Sequence, residues 1–153
     1  MMTDEELRII SKEIFGEPLS FIDMDLNKFI EETNKPDVLR RCGIDPNLQS
    51  WLRPRIVCED GATLSVQASE IHYCCPRKSK QESYTHYEVM LIGDHDLDEF
   101  VKSCKKKYQE CVQWFIDNDG DGVYAEVPHD ILQGYIDAHG GIKDFGRSKR
   151  NES

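Results

Sequence analysis

RIVCEDGATLSVQAS, residues 55–69, decides the fold. Two apolar runs flank the dipeptide Asp60-Gly61. That dipeptide predicts a β-hairpin closed by a type I′ turn, which needs positive φ at both central positions. In the second run Leu64, Val66 and Ala68 alternate with Thr63, Ser65, Gln67 and Ser69. Period two with one apolar side implies a sheet covered on one face.

Working outward, YTHYEVMLIG (84–93) reads as a third strand, with Tyr87, Val89 and Leu91 toward the core. Tyr84, His86 and Glu88 then join the polar face. Over 96–117, Phe100, Cys104, Tyr108, Cys111, Val112 and Phe115 recur at spacings of three and four. This predicts one long amphipathic helix, with both cysteines on its buried stripe. VYAEV (123–127) reads as a strand, and Pro128–His139 as a last helix. Gly140 and Gly141 supply its left-handed cap, against which Ile142 folds back. The order from Arg55 is β-β-β-α-β-α. It predicts an α+β class, an antiparallel sheet with helices on one face.

In front stands a helical N-terminal arm, residues 1–54. Thr3 with Glu6 forms a capping box for a helix carrying Leu7, Ile10 and Ile14. A second helix follows Asp25 with Leu26, Phe29 and Ile30. PDVLRRCG and DPNLQSWL each place a proline near the start of a short helical turn. Residues 55–142 form the core domain, and 143–153 a flexible polar tail.

The chain has 153 residues, 39% of them hydrophobic, which suits one packed domain. No run approaches the ~18 apolar residues that span a bilayer, so no membrane partner is expected. MMTDEEL opens the chain without an apolar signal, so the expected location is cytoplasmic. Net charge is −10, which argues against a nucleic-acid partner. The charge is uneven: residues 1–37 hold ten acids and four bases. Arg40, Arg41, Arg53 and Arg55 form a basic island, as do Arg77, Lys78 and Lys80. Six cysteines without a CxxC pair read as reduced thiols. His72 beside Cys74 and Cys75 has no standard zinc spacing. No cofactor is expected.

DNDGDG (117–122) matches the first half of an EF-hand loop through Asp117, Asp119 and Asp121. Position twelve, where a bidentate glutamate belongs, is Pro128. The segment therefore reads as a helix-to-strand turn that its aspartates solvate. Those three aspartates are the residues a calcium ion would use.

The remaining chemistry lies in LSVQASEIHYCCPR (64–77) and YTHYEV (84–89). Gln67, Ser69, His72, Tyr73, Arg77, Tyr84 and Glu88, with Arg55 nearby, could form a recognition surface. Tyrosine offers a flat ring, arginine a fork for phosphate oxygens, and the amide and hydroxyl adaptable hydrogen bonds. The plain alternative is a polar, solvated sheet face.

VQAS, a two-residue gap, HYC, then Pro and Arg, a strand ending in EV, VYAEVP and a helix ending in HGG follow one another in that order. This order resembles a group of small phage-encoded proteins, the first Thoeris anti-defence family. The resemblance covers roughly residues 55–142. It implies an oligomeric sponge in the host cytoplasm that binds and sequesters a cyclic ADP-ribose-type or related cyclic nucleotide signal without cleaving it. Tyr73 and Tyr84 would then stack on the base. Arg55 and Arg77 would meet the pyrophosphate, and Gln67, Ser69 and Glu88 the sugar hydroxyls. The long lysine-rich helix with Trp114 departs from the pattern, as does the front arm.

A second reading is an acidic inhibitor that mimics nucleic acid and occupies a host protein, motivated by Glu5, Glu6, Glu13 and Glu17. A third is a hydrolase using His72, His86 and Glu88, or Cys74 beside His72. No GxSxG, P-loop or HExxH signature accompanies those residues.

Overall fold

The computed structural model describes residues 24–47, 52–120 and 122–145. The first expected helix (3–16), Trp51, Asp121 and residues 146–153 lie outside the described residues, as do Glu5, Glu6, Glu13 and Glu17. Five antiparallel strands form one sheet: β1 (Ile56–Cys58), β2 (Thr63–Gln67), β3 (His86–Ile92), β4 (Val123–Pro128) and β5 (Ile142–Phe145). Their order is β4-β3-β2-β1-β5. The helices are α1 (Leu26–Thr33), α2 (Pro36–Arg41), α3 (Leu97–Ser103), α4 (Gln109–Asp117) and α5 (His129–Ala138). This is the expected α+β class. Among the described residues no helix is long and apolar enough to cross a membrane.

The hairpin lies where Asp60-Gly61 predicts it, but its turn differs. Ile56 pairs with Leu64 and Val57 with Thr63, and Cys58 N donates to Ala62 O at 2.8 Å, which leaves the three-residue loop 59–61. The Gly61 N–H donates to Cys58 O at 2.9 Å. Only Gly61 has positive φ, at 93°. This is the type I turn with a left-handed glycine, not type I′. Asp60 is held by a tertiary bond, its N–H to His139 O at 3.2 Å, and by a local one, its carboxylate accepting from Ala62 N at 3.0 Å.

Leu64, Val66 and Ala68 are buried as their alternation requires, and Tyr87 and Val89 face them. Leu64, Val66 and Val89 each contribute roughly 1.5–3 kcal/mol by leaving water. α1 joins the same core. Asp25 caps it by accepting from Lys28 N at 2.8 Å, and Leu26, Phe29 and Ile30 are fully buried. The Phe29 ring meets Phe145 edge-on at 5.2 Å. The described part of the front segment is thus packed into the common core.

Two further expectations are corrected. The helix foreseen over 96–117 breaks after Ser103, where Cys104 and Lys105 turn extended before a 3-10 turn at Lys106–Tyr108. Gln109 Nε2 donates to Val101 O at 3.1 Å and satisfies a carbonyl released by the break. Cys104 and Cys111 are therefore only partly buried. Secondly, Lys143–Phe145 belong to β5, paired with β1, rather than to a loose tail. α5 ends as expected, in a Schellman motif. Gly141 N donates to Ile136 O at 3.0 Å and Gly140 N to Asp137 O at 2.9 Å.

Candidate functional site

The face of the sheet away from the helices carries one row formed by Ser65, Met90 and Val123, which are register partners across β2, β3 and β4. Arg55 precedes Ile56 and extends that row. Met90, Val123 and Arg55 are exposed. At one end of this face the chain between β2 and β3 folds over β3 and β4.

That connection is anchored at Tyr73. Its N–H donates to Glu88 Oε2 at 3.1 Å. Its carbonyl accepts from Glu126 N at 3.0 Å. The second bond depends on a β-bulge. Tyr87 pairs with Val127 and Val89 with Tyr124, so two residues of β4 oppose Glu88 alone. The extra residue puts Glu126 at φ 51°, a left-handed position disfavoured outside glycine, and turns its N–H to Tyr73. With the backbone held, the Tyr73 ring stands 55% exposed. The Arg77 guanidinium lies over it, 4.9 Å from the centroid. A cation–π contact of this kind orients the guanidinium parallel to a flat surface. Glu88, Tyr73 and Arg77 are thus brought together as the sequence suggested.

Three other expected residues point elsewhere. Gln67 is 6% exposed. Its Oε1 accepts from Arg53 N at 2.8 Å and its Nε2 donates to Arg53 O at 2.9 Å, so the side chain imitates a strand pairing. Ser69 is 1% exposed, and its hydroxyl bonds His72 Nδ1 and Ile71 N. Tyr84 is 3% exposed and stands before β3. Its hydroxyl donates to Lys78 O at 2.6 Å. The cause is Arg53, a buried cation that sequence reading left on the surface. It donates to Thr33 Oγ1 at 2.7 Å and to Ile30 O and Ala68 O at 3.2 Å, under the Tyr84 ring at 5.8 Å. Burial lowers its pKa. This end of the sheet is therefore filled by the link to α1.

The side chains of the hydrolytic reading bond other groups rather than one another, Glu88 accepting from Tyr73 N. His72 is bound to Ser69, and burial lowers its pKa. His86 Nδ1 meets Thr85 Oγ1 at 2.9 Å. The Cys74 thiol donates to Ser69 O at 3.2 Å, and burial raises its pKa, away from the thiolate a nucleophile needs. For the acidic reading, Glu31 and Glu32 pair with Lys28 on α1, Glu32 also with Lys35 just beyond it, and Asp37 with Arg40 on α2. In the acidic turn, Asp117 accepts from Gln113 and Asp119 from Tyr124. The turn joins α4 to β4 as expected. Among the described residues no group of three metal-ligating side chains is assembled.

Sequence reading missed a cleft of about 540 Å³ between the β1–β2 turn, the Asp94–Leu97 loop, α3 and the end of α5. Asp60 and His139 line it, 2.6 Å apart. Their signals stand in DG and HGG, but as sequence both read as turn chemistry alone. No protein-family model matches the chain, and neither the search of curated proteins nor that of solved structures returned a match.

Proposed function

We propose that the protein binds and sequesters a phosphorylated nucleotide signal, of the cyclic ADP-ribose type or a related cyclic nucleotide, without cleaving it. The observation that carries this is the clamped Tyr73 ring beneath Arg77. A bulge and an unfavourable φ at Glu126 serve to hold Tyr73, whose ring is left open to solvent. Strain kept at one place invites a functional reading. The resemblance of the motif order to that of the Thoeris anti-defence family supports the same reading.

The ligand's base stacks beside Tyr73, and Arg77 meets a phosphate through paired N–H donors. Arg55 supplies a second cation along the uncovered face. In a chain of net charge −10, such local cations are what allow an anion to approach. Gln67, Ser69 and Tyr84 maintain the fold and do not touch ligand. A second copy completes the site, since Tyr73 and Arg77 stand on an open surface with Ile71, Met90 and Val123 also exposed.

Calorimetry with cyclic ADP-ribose tests the assignment. Tyr73→Ala and Arg77→Ala should each weaken binding at least tenfold while Tm stays within about 2 °C. Unchanged affinity in both variants would overturn it.

A further inference from the structure

We propose a second binding site, in the cleft beneath α3, that takes an organic polyammonium ligand. Its volume of about 540 Å³ is that of a small-molecule pocket, ~300–1,000 Å³. Its walls carry Asp60, Asp94, Asp96 and Glu99, and no lysine or arginine is among its lining residues.

The hydrogen-bond chemistry gives the ligand's character. His95 Nε2 lies 3.1 Å from Thr63 O and 3.0 Å from Ile92 O, so this nitrogen carries the proton. Nδ1 then accepts from the Tyr135 hydroxyl at 2.8 Å, and both donors are committed. His139 Nδ1 donates to Asp60 Oδ2. The neutral ring leaves a lone pair on Nε2, which has no partner among the described residues although His139 is only 7% exposed. Asp96 caps α3 through Glu99 N, and Glu99 meets Lys102. The unpaired capacity of Asp94, Asp60 and His139 Nε2 is all acceptor. A ligand must donate.

A nucleotide would bring phosphates against these carboxylates, so this site is opposite in sign to the one at Tyr73. A compact metal ion would need three ligating groups gathered together, which the described residues do not assemble. An alkylammonium chain reaches separated acceptors. Phe100 lies parallel to His139 at 3.9 Å and offers a π face to its charge. Nε2 is closed off from solvent in the free protein. α3 buries none of its residues fully, so a small outward shift admits an N–H donor.

The test is calorimetry with spermidine at moderate salt. Asp94→Lys should weaken binding at least tenfold and Phe100→Leu about fivefold. Asp117→Lys, an equal charge change outside the cleft, should alter it less than twofold. Spermidine should also shift the His139 side-chain ¹⁵N resonance. Equal losses for Asp94→Lys and Asp117→Lys would reduce the effect to diffuse attraction and overturn the site. So would no binding at millimolar spermidine, an unmoved His139 resonance, or equal occupancy by magnesium alone.

Discussion

Gln67 and Tyr73 are both polar residues near the end of the same sheet, yet they have opposite roles. Gln67 closes two bonds with the Arg53 backbone. Gln67→Ala leaves a buried N–H and a buried carbonyl without partners, which costs about 1–3 kcal/mol. Urea unfolding should record that loss, while cyclic ADP-ribose affinity stays within twofold. A large affinity loss with intact stability would return Gln67 to the site. Protonation also acts at this scale. Burial lowers the pKa of His72 and His139, and at His139 it outweighs the opposing pull of Asp60. The unfolded chain, with histidine near 6.5, then binds more protons than the folded one. Their contribution is full above about pH 6.5 and is lost as pH falls toward the folded values. The urea midpoint should drop between pH 7 and pH 5, less steeply in His139→Gln. A midpoint that rises on acidification would contradict this.

Among the elements, the α4–α5 contact offers a sharp test. A Cβ on Gly134 would collide with Cys111 Sγ. Gly134→Ala alone should therefore destabilise by about 1–3 kcal/mol through overpacking. In a Cys111→Gly background both contacts, with Sγ and with Cβ, are gone, and alanine's helix preference, roughly 1 kcal/mol, should make the same change stabilising. A double-mutant cycle measures the reversal; additive effects would refute it. The elements also show what was legible. Leu64, Val66 and Ala68 announce β2 because their period is local. The turn type was hidden because Asp60 is bonded to a residue 79 positions away. The apolar stripe runs through Cys104 without interruption, so periodicity gave no sign of the break. β5 has only four residues, too few for alternation to stand out. At the site, Tyr73 and Arg77 were legible as a pair on one short connection. The inward course of Gln67, Ser69 and Tyr84 depends on Arg53 and α1, a tertiary fact.

At the scale of the molecule, the described residues form one core with a sheet face that none of their helices covers. All its described helices serve the covered side or the sheet's end, and the exposed face keeps Met90 and Val123 beside Arg55. Light scattering should give a mass that is a multiple of 17.7 kDa; a strict monomer would contradict a site completed by a second copy. Sequestration itself is tested most directly by mass balance. The protein is loaded with cyclic ADP-ribose, freed of excess ligand, held for several hours, then denatured, and the released nucleotide is identified by mass spectrometry. The account predicts stoichiometric release of unaltered ligand, lost in Arg77→Ala. Linear or hydrolysed nucleotide in the released fraction, or none retained by the wild type, would contradict it.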